Sequence, residues 1–312
     1  MVRICEDSDG LHKTVFGMTR PIFNFFSLLS GILLLSTAAN AQIAPRAPKI
    51  RTIIVDAGHG GTDQGAKGRY STEAQITLNL ALRLDTILRR EMPETRIVMT
   101  RTTDIYHHVR EKANIANKEN GDLFVCIHVN AAPPKKTVVG YKSVAAYKGK
   151  GKNRKKYYKK VPVYQSSPNP AHGTSTYVWA ADRSDEKTKG IIEDERYESS
   201  AEVMDVPDVN SPEAIIKARL WSQKFFKNSV RLASMIEDEF TGIGRKSLGV
   251  LQRNHMGIWV LQATNMPAVL IETGFITDEE EEDYLNSEAG QIEMTRAIAN
   301  AVLKYKQMID GK

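Results

Sequence analysis

Apolar residues along this chain follow two patterns: short continuous runs, and longer stretches with the spacing of one helical face. Ile53, Ile54 and Val55 form a short run that leads into glycines, which predicts a buried strand and a tight loop. Over residues 73–90 the helical spacing predicts a helix, with apolar positions at Ile76, Leu80, Leu84, Ile87 and Leu88. Similar patterns predict strands over residues 96–100 and 123–129, separated by a helix over residues 109–118.

The pattern resumes after an interruption in the middle of the chain. Residues 174–179 alternate like a strand, residues 214–240 have the spacing of a long helix, and residues 269–272 form another apolar run. Two closing helices are predicted near residues 278–285 and 289–308. Alternating strands and helices indicate an α/β fold. We expect a single three-layer domain with a mostly parallel sheet of roughly six strands and helices on both faces.

The N-terminal segment has the three parts of a secretory signal peptide. A positive residue, Arg20, precedes an apolar run over residues 21–35, and Ala39-Asn40-Ala41 forms a small-residue cleavage site. We therefore expect residues 1–41 to be a signal peptide that is cleaved after Ala41, with Met18 as an alternative start. A retained N-terminal anchor is the competing interpretation. Cleavage predicts an exported protein in the periplasm or cell envelope, without a stable membrane span after processing.

Composition narrows the remaining classes of protein. The chain has 312 residues, 26% of them charged and 41% hydrophobic, which is typical of a globular protein and excludes wholesale disorder. It contains only two cysteines, Cys5 and Cys126. This number excludes a disulfide scaffold and a four-cysteine zinc module. Cys126 lies in an apolar run and is expected to be an inert core residue.

Two insertions of opposite charge interrupt the predicted domain, which otherwise extends over residues 50–308. The basic insertion, residues 133–172, contains eleven lysines or arginines, five tyrosines and no acidic residue. The whole chain carries +6, so without these eleven charges it would carry −5, and its charge does not predict a nucleic-acid partner. The pattern favours a solvated, mobile loop; a stacking surface for nucleic acid or glycan is the alternative. The acidic insertion covers residues 180–212.

Four residues that could bind a metal or act in catalysis lie at the ends of predicted strands or at the start of a helix. His59 follows the first strand, Glu73 opens the first helix, and His128 ends a later apolar strand. Side chains at the carboxyl ends of neighbouring strands meet in one crevice, and two imidazoles with one carboxylate form a catalytic zinc set with an open position. Glu272 ends another strand and is a candidate general base. The alternative for each is a purely structural role. Asp56 and loop carbonyls are candidate acceptors for the second ring nitrogens.

Three sequence segments around these residues resemble one enzyme family. They are Val55-Asp-Ala-Gly-His-Gly-Gly-Thr-Asp-Gln-Gly-Ala66, Asp122-Leu-Phe-Val-Cys-Ile-His-Val-Asn-Ala131 and Met266-Pro-Ala-Val-Leu-Ile-Glu-Thr-Gly-Phe275. In this order they resemble the zinc-dependent N-acetylmuramoyl-L-alanine amidases of the AmiC-like catalytic family. The resemblance runs from about residue 50 to residue 305 and covers the two insertions poorly. Ala57 stands where the family often has proline.

The resemblance implies an activity and roles for the four residues. It implies hydrolysis of the amide between N-acetylmuramic acid and L-alanine in peptidoglycan, in cell-wall remodelling or cell separation. One zinc ion would be bound by His59, Glu73 and His128, and Glu272 would be the catalytic glutamate. The competing functions are another extracytoplasmic zinc hydrolase of peptidoglycan, such as a deacetylase or carboxypeptidase, and an inactive wall-binding protein. All four positions hold residues that can perform these roles, which argues against an inactive protein.

The resemblance also suggests a role for the acidic insertion. In some members of the family a helix in the corresponding region covers the metal and is displaced by a protein activator. Here Glu186 and Glu193 are the leading candidates for a carboxylate that fills the open zinc position. The competing interpretation is an acidic loop that pairs with the lysines of the basic insertion or with nothing.

Overall fold

The computed structural model describes residues 50–179, 187–189, 191, 211–253 and 257–311. The predicted signal peptide and most of the acidic insertion lie outside these residues, as do Glu186 and Glu193. Within the described ranges, no helix has both the length and the apolar character needed to cross a bilayer.

One sheet forms the centre of the domain. Its strands are β1 (Thr52–Ala57), β2 (Arg96–Met99), β3 (Leu123–Asn130), β6 (Thr174–Val178), β7 (Ser247–Gln252) and β8 (Ala268–Phe275). The strand order is β2-β1-β3-β8-β6-β7, and all neighbours are parallel except β6 and β8. The predicted mostly parallel sheet of about six strands is therefore confirmed.

Helices cover both faces of this sheet, as predicted. They are α1 (Glu73–Glu91), α2 (Val109–Lys118), α3 (Pro212–Gly242), α4 (Trp259–Ala263), α5 (Glu279–Asn286) and α6 (Glu288–Asp310). Successive strand residues point to opposite faces. Val55 accordingly belongs to a core shared with α1, α3 and α6, whereas Ile54 belongs to a second core shared with α2 and α4. Cys126 is fully buried in this second core, as expected.

Side-chain caps determine where several helices begin. The Thr72 hydroxyl accepts a hydrogen bond from the backbone N–H of Gln75, and the Ser287 hydroxyl accepts one from Gly290. Such caps satisfy N–H groups that have no partner within the first helical turn. The cap at Thr72 makes Glu73 the first residue of α1, which places its carboxylate beside the ends of β1 and β3.

The basic insertion is exposed to solvent, as the sequence favours, but it is not a loop. It folds into an antiparallel hairpin of β4 (Lys135–Lys148) and β5 (Lys155–Ser167), connected through a short 3₁₀ turn at Gly151–Asn153. The hairpin forms a separate two-stranded sheet, and most of its residues are exposed. The loop interpretation was wrong because a strand is recognised by alternating apolar and polar residues. This alternation does not arise where neither face of the strand is buried.

Candidate metal centre and active-site cleft

His59 is presented by a sharply turned loop at the end of β1. Its backbone adopts φ +57°, a conformation that residues other than glycine rarely adopt. Gly60 follows with φ +130°, and a Cβ atom there would lie 2.3 Å from the carbonyl oxygen of Ile105. The turn therefore requires glycine at this position, and it directs the His59 ring towards the start of α1.

The side chains of His59, Glu73 and His128 converge at the carboxyl ends of β1 and β3. Nε2 of His59 lies 3.2 Å from Oε2 of Glu73, and Nδ1 of His128 lies 2.8 Å from Oε1 of Glu73. One donor atom from each of the three residues lies within 4.8 Å of the other two. The structure thus brings together the three residues that the sequence singles out as a ligand set.

The chemistry and spacing of these donors fit a single zinc ion. Zinc takes imidazole nitrogen and carboxylate oxygen at about 2.0–2.1 Å in a tetrahedral arrangement, which separates ligand atoms by about 3.3 Å. Each histidine nitrogen lies at or within this separation from one oxygen of the Glu73 carboxylate, at 3.2 Å from Oε2 for His59 and 2.8 Å from Oε1 for His128. Three protein donors leave a fourth position for water or substrate.

The second ring nitrogen of His59 is bound by a carboxylate that sequence reasoning did not identify. Nδ1 of His59 lies 2.9 Å from Oδ2 of Asp63, in the histidine–carboxylate arrangement found around many metal sites. Asp56, the candidate from the sequence, is instead fully buried beside Lys112, whose Nζ lies 3.0 Å from Oδ1. Asp63 lies four positions after His59, so the short spacing was the available signal.

His128 is held in place by a glycine. A Cβ atom at Gly58 would lie 2.7 Å from Nε2 of His128, so any side chain at this position would displace the ring. The carbonyl oxygen of Gly58 accepts hydrogen bonds from Thr77 and from the buried guanidinium of Arg101, both at 2.8 Å. These contacts fix the backbone against which the His128 ring packs.

Contacts among the metal-ligand candidates shift the pKa values of Glu73 and His59. Burial alone would raise the pKa of Glu73, but hydrogen bonds and charge from His128 and His59 hold it well below its usual range. Burial alone would lower the pKa of His59, but Glu73 and then Asp63 raise it above its usual value. Glu73 is therefore an anion throughout the neutral range, as a carboxylate ligand must be.

Glu272 faces the same cleft but has a different environment. It pairs with His128 in the register of β3 and β8, so the two side chains share a face of the sheet. Its Oε2 atom has no hydrogen-bond partner among the described residues, and its Oε1 lies 3.8 Å from Nη2 of Arg253. Burial is the main reason that the pKa of Glu272 is raised, with a further contribution from the charge of Glu73.

A second glutamate, Glu282 of α5, holds the loop that precedes Glu73. Its carboxylate accepts hydrogen bonds from the backbone N–H groups of Arg69, Tyr70 and Ser71 and from the Ser71 hydroxyl. More than 200 positions separate the partners, and nothing in the local sequence around either segment predicts the contact. Glu282 is thus a positioning residue for the start of α1.

These groups line a cleft of about 360 Å³ with one largely apolar wall. Val109 of α2, Trp259 of α4 and Leu270 of β8 contribute to this wall, and Arg253 lies beside Glu272. The ring of Trp259 is 41% exposed and contacts the guanidinium of Arg110, 5.5 Å from its centroid. A substrate with both apolar and polar parts can be enclosed here, next to the three metal-ligand candidates.

Comparison with known proteins assigns this architecture to a family. The family described as N-acetylmuramoyl-L-alanine amidase matches residues 53–304. The amidase AmiA of Escherichia coli (strain K12) is 26% identical over 278 residues, which cover 88% of this chain and 83% of AmiA.

Solved structures share the fold. An N-acetylmuramoyl-L-alanine amidase from Clostridium difficile 630 superposes with a TM-score of 0.53 at 22% identity, covering 83% of this chain and 97% of that one. The CwlD amidase from Clostridioides difficile, solved in complex with the GerS lipoprotein, has a TM-score of 0.50 at 22% identity, with coverages of 83% and 99%. With the family match over most of its length, the chain belongs to the N-acetylmuramoyl-L-alanine amidase family.

Proposed function

We propose that this amidase cleaves peptidoglycan with one zinc ion held by His59, Glu73 and His128, and with Glu272 as the proton-transfer group. The observation that carries the proposal is the convergence of these three donors beside a buried glutamate with an unpaired oxygen. Family membership supplies the bond that is cleaved, the amide between the lactyl group of N-acetylmuramic acid and L-alanine.

The residues of the cleft have different roles in the proposed reaction. A zinc ion bound by the three donors would supply Lewis acidity towards the amide carbonyl and the attacking water. Glu272 takes a proton from that water and passes it to the departing nitrogen, so that the C–N bond breaks. The products are the lactyl carboxylate and a free L-alanine amine. Asp63 keeps the His59 ring in the orientation in which Nε2 faces the ligand position.

The environment of Glu272 supports its role as base and acid. A carboxylate with its usual pKa is a weak base and holds a proton poorly near neutrality. Burial and the nearby charge of Glu73 raise the pKa of Glu272, which makes its carboxylate a stronger base. Its unpaired Oε2 is free of competing donors among the described residues.

Digestion of purified sacculi tests this proposal. Sacculi are incubated with the protein, with and without a metal chelator, and the new ends are identified by mass spectrometry. We expect stem peptides with a free L-alanine amine, formed only without chelator and restored by added zinc. Release of acetate or D-alanine would instead indicate a deacetylase or a carboxypeptidase.

The site of action follows from the proposed substrate. We infer export through residues 1–41, because peptidoglycan lies outside the cytoplasm and the segment has the features of a signal peptide. Protein recovered from its native compartment should begin at or near Gln42. CwlD was solved with a lipoprotein. That a protein activator displaces the acidic insertion of this chain, and that Glu186 or Glu193 fills the open zinc position until then, stay predictions, because both residues lie outside the described ones.

A further inference from the structure

The two faces of the β4–β5 hairpin differ in composition. Residues paired directly across an antiparallel ladder share a face, so the register assigns each side chain. One face, called here the tyrosine face, carries Tyr141, Tyr147, Tyr158, Tyr164, Lys136, Lys156 and Lys160. The opposite face carries Tyr157, Lys135, Lys142, Lys148, Lys155 and Lys159. Lysines thus occupy both faces, whereas four of the five tyrosines are gathered on one.

A β-bulge produces this segregation. The register shifts between Val138 and Gly140, which leaves Val139 as an extra residue on β4. An extra residue changes the face on which the following residues lie. Without it, Tyr141 and Tyr147 would lie on the face opposite Tyr164. The bulge therefore places tyrosines from both strands on a common surface.

The tyrosine face is open to solvent. Its four tyrosines are between 52% and 67% exposed. Two of the rings are covered by cations from the hairpin itself: the Arg154 guanidinium lies 4.1 Å from the centroid of Tyr147, and Nζ of Lys156 lies 5.3 Å from that of Tyr158. Exposed aromatic surface bordered by polar groups is typical of an interaction site.

The hairpin leaves the domain beside the candidate active site. Seven positions separate His128 from Lys135, a length of chain that spans at most about 25 Å. Its two ends are held to the domain: the Ala132 N–H donates to Oγ1 of Thr277 at 3.0 Å, and the Gly173 N–H donates to Oε1 of Glu281 at 2.8 Å. The Asn169 amide joins the two ends through the carbonyl oxygen of Pro133.

We propose that the tyrosine face binds the peptidoglycan polymer next to the cleft. Sugar rings present C–H faces that pack on aromatic rings, and the carboxylates of stem peptides complement the lysines. The strands of 13 and 14 residues give a ribbon about 45 Å long, enough to follow several sugars. Holding the polymer there raises the local concentration of its amides at the cleft. The inference rests on the proposed function, which makes this polymer the substrate.

The hairpin tip argues against a lipid bilayer as the partner. Residues 148–155 read Lys-Gly-Lys-Gly-Lys-Asn-Arg-Lys and contain no apolar side chain that could enter the hydrocarbon region. The aromatic residues of the face are all tyrosines, which offer a flat ring together with a polar hydroxyl. Both features suit a hydrated, anionic glycan bearing peptides.

Matched variants of the two faces test the proposal. On the tyrosine face, Tyr141→Ala with Tyr158→Ala removes two rings, and a second variant changes Lys136, Lys156 and Lys160 to Gln. The control variant changes Lys142, Lys148 and Lys159 of the opposite face to Gln, with the same loss of charge. A further variant, Tyr141→Phe with Tyr158→Phe, keeps the rings. Circular dichroism and Tm verify that each variant is folded.

Binding and catalysis are measured separately. Sedimentation with purified sacculi at 4 °C, in a Glu272→Gln background that prevents digestion, gives the affinity. We expect both tyrosine-face variants to bind about tenfold more weakly or worse, whereas the control and the Phe variant bind as the parent does. In proteins with Glu272 intact, cleavage of soluble muropeptides should be unchanged, which separates this inference from the proposed function.

Three results would overturn the inference. The first is an equal loss of affinity for sacculi in the two lysine variants, which would indicate that positive charge on either face binds the polymer and that the tyrosine face has no special role. The second is unchanged sedimentation of the tyrosine variant. The third is tighter binding to vesicles of phosphatidylglycerol and phosphatidylethanolamine than to sacculi, which would assign the face to a membrane. Failure of the parent protein to release stem peptides from sacculi would contradict the proposed function alone.

Discussion

Glu73 and Glu272 are buried carboxylates near the same two histidines, yet their pKa values shift in opposite directions. Glu73 is hydrogen-bonded to both rings, which favours its anion and lowers its pKa. Glu272 has one oxygen without a described partner, and burial raises its pKa. Two carboxylates with divergent environments are suited to different tasks. Glu73 is suited to hold a cation and Glu272 to exchange a proton.

This division predicts different outcomes for the same substitution at the two positions. Glu272→Gln should retain about one equivalent of zinc and lose roughly a hundredfold or more in kcat, because only the proton-transfer group is removed. Glu73→Gln should contain well below one equivalent of zinc after dialysis. Zinc is measured by elemental analysis and turnover on soluble muropeptides. Glu280→Gln, an exposed carboxylate of α5, is the control. Near-normal turnover of Glu272→Gln would move the base elsewhere.

Lys187 is another buried ionisable residue, and it is not one of the metal-ligand candidates. Its ammonium group is fully buried and donates to the carbonyl oxygens of Leu261, Thr264 and Met266, between α4 and the start of β8. Burial lowers its pKa to about 7. An unfolded lysine has a pKa of about 10.4, so unfolding between these pH values takes up a proton.

The free energy of unfolding should therefore rise with pH between about 7 and 10 through Lys187. The largest slope from one such group is about 1.4 kcal/mol per pH unit. Urea unfolding of wild type and Lys187→Met at several pH values measures the difference in slope, which should be positive for wild type. Lys189→Met, an exposed lysine two positions away, should leave the slope unchanged. Parallel pH profiles for wild type and Lys187→Met would contradict the lowered pKa.

At the scale of elements, the sequence predicts the helices and strands whose apolar positions reflect the burial of one or both faces. α1 and α3 each bury one face, so their helical period is visible in the sequence. β1 and β3 are buried along nearly their whole length, so they are visible as continuous apolar runs. β7 is an edge strand with Gly249 at φ +87°, and α4 has only five residues and no side-chain cap. Neither is long or regular enough to produce a recognisable period. Contacts such as Glu282 with residues 69–71 join distant segments and leave no local pattern at all.

The contact between α5 and the loop before α1 predicts an effect on both stability and metal affinity. Glu282→Gln replaces one carboxylate oxygen, which accepts hydrogen bonds, by an NH₂ group, which donates them. Backbone N–H groups of residues 69–71 then face a second donor and lose their acceptor. We expect a loss of about 1–3 kcal/mol in the free energy of unfolding, with weaker zinc binding because the loop leads into Glu73. Urea unfolding and zinc titration measure the two effects.

Glu279→Gln is the matched control on the same helix. Its carboxylate pairs with Arg69 at the surface, where solvent screens ion pairs and they contribute little to stability. This variant should therefore lose little stability and bind zinc as the wild type does. If both variants behaved alike, the buried hydrogen bonds of Glu282 would not be what positions the start of α1.

At the scale of the whole molecule, the candidate ligands join parts of the chain that are far apart in sequence. His59 belongs to the loop after β1, Glu73 to α1 and His128 to β3, and only the folded sheet brings them together. The sequence singled out all three because His59 and His128 lie in recognisable segments at strand ends and Glu73 opens the first helix. It could not identify the surface made by the hairpin, because no segment among the described residues packs over that surface to impose a period.

A metal that binds only this folded arrangement should stabilise the whole domain. Zinc at a hundred times its Kd would add about 2.7 kcal/mol to the free energy of unfolding, because the unfolded chain separates the three ligands. Thermal unfolding should therefore show a higher Tm with zinc than after chelation, and the rise should grow with zinc concentration. Glu73 also contacts both histidines directly, and the sheet and its two cores do not depend on the ligand set, so the domain should stay folded after chelation and lose only the increment from binding. His128→Ala should show no zinc-dependent rise. An equal rise in that variant would mean that zinc stabilises the protein through some other set of ligands.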